Sequence, residues 1–140
     1  MKKLLIKWWR LIDSGQTCPR CKNTEIELDK ACQKLKEAFR ILGIEVIIDK
    51  QEITNDEFNK NPLISNQIFI NNKPLEEWLN AKVSQSPCCD ICGDQDCRTV
   101  EFLGKSYEII PSELIIKACL LAAADMILTK PNLLNVLCRN

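Results

Sequence analysis

The chain has no histidine among its 140 residues. That absence excludes Ser-His-Asp and Cys-His catalysis, and it removes the commonest nitrogen ligand for a metal ion. A surplus of either charge is also missing: Lys plus Arg and Asp plus Glu both number 19. No positive field gathers phosphates, and 6% aromatic residues is meagre for base stacking, so nucleic acid is not an expected partner. Long apolar runs are lacking too. The greasiest stretch, Leu114 to Leu128, is shorter than the roughly 20 residues a bilayer requires and carries Lys117 and Asp125. The opening MKKLLIKWWRLI starts like a signal peptide, but Lys7 and Arg10 interrupt it and no small-residue cleavage site follows. A soluble, cytoplasmic protein with no membrane partner is therefore expected.

What the chain has is sulfur. Nine residues are cysteine, six of them in two tight groups: CPRC from Cys18 to Cys21, and CCDICGDQDC from Cys88 to Cys97. In a reducing compartment structural disulfides rarely persist, and an odd number of cysteines cannot all pair within one chain. Thiol-disulfide exchange and thiolate coordination of a soft metal are the chemistries that remain.

With 46% hydrophobic and 27% charged residues, the chain suffices for one core and falls short of two, so residues 1 to 140 read as one domain. Leu4 to Ile12 reads as a buried strand ended by Asp13, Ser14 and Gly15. From Thr24, the residues Leu28, Ala31, Cys32, Leu35, Ala38, Phe39 and Leu42 recur at helical spacing, and Gly43 is the natural stop. Ile44 to Asp49 reads as a second strand, completing a β-α-β unit that pairs its strands in parallel. Thr54 with Glu57 fits a capping box for a short helix limited by Pro62. Gln67 to Ile70 is a third strand, and Asn71-Asn72 a hairpin turn into Lys73 to Glu76, where a helix over Glu76 to Lys82 competes. Val100 to Leu103 and Ser106 to Ile110 flank Gly104-Lys105 as a further hairpin, and Ser112 caps a last helix.

A CxxC between a strand and a helix places its first cysteine at the helix N-terminus, where unpaired N–H groups stabilise a thiolate. Cys18 is then the nucleophile and Cys21, one turn on and more buried, the resolving thiol. Pro19 suits the first helical position, and Arg20 adds positive charge near the thiolate. The competing reading is a zinc knuckle, since CPxC also opens zinc ribbons.

Cys88, Cys89, Cys92 and Cys97 supply four thiols among residues that favour a loop, Asp90, Gly93, Asp94, Gln95 and Asp96. Four readings stay open: a local S4 site for zinc, another soft metal or an iron-sulfur centre, a dithiol couple of Cys89 and Cys92 with Cys88 or Cys97 as relay thiol, a site in which Cys89 and Cys92 join Cys18 and Cys21, or a solvated loop with no role. Cys32 and Cys119 lie among apolar residues on expected helices and read as core. Trp8, Trp9 and Trp78 read as packing residues, and Cys138 is uninformative.

The order strand, CPxC, amphipathic helix, strand, short helix and QIFINNKPL resembles the thioredoxin and glutaredoxin superfamily over residues 4 to 80. The strings TCPRCKNTEIEL, PLISNQIFINNKPLEEWL, SPCCDICGDQDCRTVE and PSELIIKACLLAAAD resemble an uncharacterised prokaryotic domain-of-unknown-function family with a thioredoxin-like fold. The resemblance implies an α/β three-layer core at 4 to 80, a cysteine-rich loop at 84 to 98, and a hairpin with a C-terminal helix at 99 to 129. It also implies Cys18 as attacking and Cys21 as resolving thiol. One departure stands out: Ser65-Asn66 occupies the place where glutaredoxin-like chains carry a cis-proline before the third strand. By that resemblance, the proline helps present substrate and keeps metal from the active thiols, so its loss weighs against ordinary reductase activity and raises the odds of metal binding at CPRC.

The expected function is thiol-disulfide exchange through Cys18 and Cys21, with protein thiols or disulfides, or a thiol reductant, as partners. Cys88, Cys89, Cys92 and Cys97 form an adjacent relay or metal site. The alternative is non-enzymatic binding of zinc or of a thiophilic ion such as arsenite or mercury.

Overall fold

The computed structural model describes residues 1–12, 15, 17–87 and 96–128. Its elements, in chain order, are β1 (Lys2–Leu11), α1 (Pro19–Ile41), β2 (Ile44–Ile53), α2 (Asn55–Lys60), a 3-10 turn (Pro62–Ile64), β3 (Gln67–Ile70), β4 (Lys73–Pro74), α3 (Leu75–Trp78), β5 (Lys82–Pro87), β6 (Asp96–Phe102), β7 (Lys105–Tyr107) and α4 (Ser112–Leu128). This is a mixed α/β architecture with two sheets.

The first sheet runs in the order β2-β1-β3-β4. β1 and β2 are parallel, with Lys2 opposite Ile44 and Leu11 opposite Ile53, joined by α1 as the β-α-β pattern requires. β3 runs antiparallel to β1 and β4 antiparallel to β3. The β3–β4 turn is Asn71-Asn72, with φ of 50° and 63°. Two consecutive left-handed residues match the twist of a tight hairpin, and asparagine tolerates that region.

α1 begins at Pro19, the first helical position expected for it, because Cys18 caps it and Pro19 enters its first turn without a lost N–H. It ends where Gly43 adopts φ +70°, with the Gly43 N–H donating to the Arg40 carbonyl at 3.0 Å. Its apolar stripe, including Leu28, Ala31, Cys32, Leu35 and Phe39, is buried. Leu4, Ile6 and Trp8 from β1, Ile68 and Ile70 from β3, and Leu114, Ile115, Ala118 and Cys119 from α4 join it in one core. α2 carries the expected capping box: Thr54 Oγ1 accepts the Glu57 N–H at 3.1 Å, and Glu57 Oε1 accepts the Thr54 N–H at 3.2 Å.

The second sheet, β5-β6-β7, is antiparallel throughout. β5 has no counterpart in the sequence reading, and the cysteine-rich loop expected at 84 to 98 is shorter at both ends. Strand pairing extends to Pro87 opposite Asp96 and Ser86 opposite Cys97. Ladder hydrogen bonds outweigh the weak strand propensity of Ser84, Gln85 and Ser86. The β6–β7 turn falls on Leu103-Gly104, at φ 50° and 80°, one residue before the expected Gly104-Lys105. Ser112 opens α4 rather than capping it, since the Leu114 N–H reaches the Pro111 carbonyl at 3.1 Å. Among the described residues no helix is long and apolar enough to cross a membrane.

Candidate functional site

Cys18 is the N-cap of α1, with φ −71° and ψ 157°. This extended backbone turns its side chain back over the first helical turn, where the sulfur accepts the Cys21 N–H at 3.5 Å. A sulfur there faces donors the helix leaves unsatisfied and the positive end of its dipole, an environment that favours negative charge. The helix is 23 residues long, so the N-terminal field is fully developed.

Cys21 lies one turn deeper. Its Sγ is 3.6 Å from Ser65 Oγ, and that hydroxyl also accepts the Leu11 N–H at 3.1 Å. The Cys21 thiol is held well above the ordinary cysteine range. The hydrogen bond with Cys18 contributes most, then burial, then repulsion by charge on Cys18, while the Ser65 and Thr17 hydroxyls pull weakly the other way. Charge on Cys18 would thus oppose ionisation of Cys21.

Cys21 was expected to be the more buried thiol, but Cys18 is 1% exposed and Cys21 2%. Both belong to the continuous apolar core, and Arg20, between them in sequence, is hydrogen-bonded to the second sheet.

The segment before β3 supplies the floor. Ser65 and Asn66, standing where a cis-proline was noted as absent, form no cis peptide bond. Asn66 instead takes φ 63° and locks the turn through its side chain. Trp8 Nε1 donates to Asn66 Oδ1 at 3.0 Å, and Asn66 Nδ2 donates to Thr24 Oγ1 at 3.2 Å. Thr24 Oγ1 also accepts the Ile110 N–H at 3.2 Å. The network ties β1, α1, the β3 approach and the entry to α4, and Trp8, which reads as packing in the sequence, proves both buried and hydrogen-bonded.

Arg20, expected to add positive charge near the thiolate, also anchors the pair's helix end to the second sheet. Its guanidinium reaches the second sheet, donating from Nη2 to Ser86 Oγ at 3.1 Å and to the Pro87 carbonyl at 3.0 Å. Nη1 reaches the Arg98 carbonyl at 3.5 Å, and Nη2 stands 3.4 Å from Glu108 Oε1. Arg98 grips in return: Nε donates to the Leu63 carbonyl at 2.7 Å and Nη1 to Glu76 Oε1 at 2.8 Å. Sequence reasoning gave no role to Glu76, Ser86 or Arg98, although Ser86 and Arg98 flank the second cysteine group in sequence; their partners, the Arg20 guanidinium, the Leu63 carbonyl and the Arg98–Glu76 pair, are tertiary.

Of the second cysteine group, Cys88, Cys89 and Cys92 lie outside the described residues. Cys97 is on β6, buried, directly opposite Ser86. Residues opposite one another in an antiparallel pair share a face, so Cys97 is on the same face of the ribbon as the Ser86 hydroxyl that Arg20 holds. The structure thus brings Cys97 to the CPRC side of the second sheet. Among the described residues, no three Cys, Asp or Glu side chains come close enough to hold a metal ion.

Cys32 and Cys119 are core, as expected. Burial pushes the Cys32 thiol up to about 12, and it raises Cys119 too, with the nearby Cys32 adding to it. A thiol kept neutral in the fold but ionised at pH 9 and above when unfolded stabilises the protein fully below that pH. The contribution is lost as pH rises toward 12. At pH 10.5 the loss amounts to roughly 2 kcal/mol per thiol. Urea midpoints at pH 7 and 10.5 are expected to fall more steeply in the wild type than in a Cys32→Ala, Cys119→Ala variant; equal slopes would refute the assignment.

The chain belongs to the family described as a domain of unknown function, DUF2703, whose model matches residues 4–119. It is similar to an uncharacterised protein of Archaeoglobus fulgidus, 45% identical over 113 residues, covering 81% of this chain and 82% of that one. No solved structure matches it.

Proposed function

We propose that this protein carries out thiol-disulfide exchange through Cys18 and Cys21 on a thioredoxin-like core. The observation that carries the reading is the placement of Cys18 as the N-cap of α1, its sulfur accepting the Cys21 N–H. The β2-β1-β3-β4 order, with a crossover helix between the parallel strands, supports the thioredoxin-like assignment. In the reaction, the Cys18 thiolate attacks one sulfur of a substrate disulfide and releases the other as a thiolate, which takes a proton. Cys21 then attacks the Cys18 sulfur, frees the second substrate thiol, and leaves a Cys18–Cys21 disulfide. Two electrons have passed to the substrate, and an external thiol reductant restores the pair. The raised Cys21 thiol suits the second role, since it gives up its proton only once Cys18 no longer bears charge. Cys88, Cys89, Cys92 and Cys97 are proposed as an adjoining relay or metal site, and the cytoplasm as the location.

Burial of both thiols favours a second reading, thiolate binding of zinc or a thiophilic metal or metalloid ion without turnover. A cation between the sulfurs would relieve the repulsion that holds the proton on Cys21. The described residues supply two such sulfurs and no third ligand, so completing a tetrahedral site falls to the second cysteine group. Insulin reduction driven by dithiothreitol, run beside elemental analysis of anaerobically purified protein, separates the two. Turnover in metal-free protein supports exchange; stoichiometric metal with no turnover refutes it.

A further inference from the structure

We propose that the β5–β6 ribbon is a cover over the Cys18–Cys21 pair, held shut by Arg20 and Arg98, and that the ribbon must lift before either sulfur can react. The inference concerns access to the pair and goes beyond the exchange reading; it holds equally if the pair captures an ion.

A thiol that attacks a disulfide in solution must meet it, and reactive cysteines are partly exposed for that reason. Cys18 and Cys21 are instead 1% and 2% exposed. Arg20, between them in sequence, is itself only 8% exposed, and its guanidinium is bound to Ser86 Oγ and the Pro87 carbonyl of β5 and to the Arg98 carbonyl of β6. Pro87 is the last residue of β5, so the ribbon's end lies against the helix terminus that carries the pair. Cys97, on the same face as Ser86, is buried there as well. The Arg98 side chain projects to the ribbon's other face, where it meets the Leu63 carbonyl and Glu76. The ribbon is therefore gripped from both faces by hydrogen bonds to two guanidinium groups.

The ties between the ribbon's Pro87–Asp96 end and the α1 terminus are polar, while Cys97 and Val100 of β6 enter the apolar core. A polar attachment opens more readily than an apolar one, because water replaces each hydrogen bond that is lost. Ladder bonds inside the second sheet survive such a movement, so the end of the ribbon at Ser86–Pro87 can part from α1 with the strands still paired. Glu108, 63% exposed on its side chain, adds little to the closed state.

Iodoacetamide labelling of the full-length reduced protein tests this, with peptide mapping to read Cys18 separately. Cys18 in the wild type is expected to react at least about tenfold more slowly than glutathione at the same pH, equivalent to about 1.4 kcal/mol of opening. Arg20→Gln and the milder Ser86→Ala are expected to speed it, the first by about tenfold. The direction is diagnostic, because removing a cation from beside a thiol disfavours the thiolate and alone would slow the reaction. Wild-type labelling as fast as glutathione, or rates unchanged in both variants, overturns the cover. Should Arg20→Gln fail to fold, wild-type hydrogen exchange decides. β5 and β6 amides exchanging together and ahead of those in β1 and β2 support the proposal, and exchange only with global unfolding refutes it. Loss of the exchange reading looks different: variants whose Cys18 labels quickly would still reduce no disulfide.

Discussion

Cys18→Ser is expected to bring disulfide reduction down to the rate without protein, while Cys21→Ser leaves one turnover's chemistry intact and stops there. The asymmetry follows from position. Only Cys18 occupies the helix cap, and a serine hydroxyl there does not ionise near neutral pH, so no nucleophile replaces it. Without Cys21 the mixed disulfide formed at Cys18 has no partner one turn away to resolve it. Mass spectrometry of Cys21→Ser incubated with a small disulfide is expected to show one adduct, mapped to Cys18, that persists for hours. Adduct formation at Cys21 in the reciprocal variant, at the same rate, would reverse the assigned roles.

The second large effect is on stability. Arg98 and Glu76 form an ion pair with a 2.8 Å contact, their side chains 8% and 10% exposed. Charges so far from water are tolerable only when both are present, because removing one leaves the other desolvated and unpaired. Glu76→Ala is expected to cost about 3–5 kcal/mol, seen as a fall in Tm of about 10 °C or more in a chain of this size. The double variant Glu76→Leu, Arg98→Met is expected to recover most of that loss, since an apolar pair carries no desolvation penalty. A single variant that loses less than about 1 kcal/mol would show that the pair behaves as a surface contact. The position also bears on function, because Arg98 fixes one face of the ribbon that covers the thiols. A destabilised Glu76 variant is therefore expected to label faster at Cys18 below its unfolding transition.

Much of the first sheet was legible in the sequence. The apolar run of β1, the Gly43 stop and the period of α1 sufficed for a parallel β-α-β unit. Thr54 and Glu57 gave a capped helix, and Asn71-Asn72 a tight turn. These are local signals, in which a residue's backbone preference or a repeat of a few residues decides the outcome. The second sheet was less legible because β5 is polar, with exposed Lys82, Gln85 and Pro87. Its strand character comes from a partner strand distant in sequence, through pairs such as Gln85 with Arg98.

Sequence by itself determined that the proposed chemistry is sulfur chemistry, since the chain holds nine cysteines and no imidazole, and it placed Cys18 at a helix start. Only the tertiary structure decided that both thiols of the pair are sealed in the core and that Arg20 faces the second sheet. It also decided that Ser65 meets Cys21 where a proline was missed. The reason is physical: helix capping depends on neighbours along the chain, whereas burial and the partners of a guanidinium depend on segments the fold brings together from far apart.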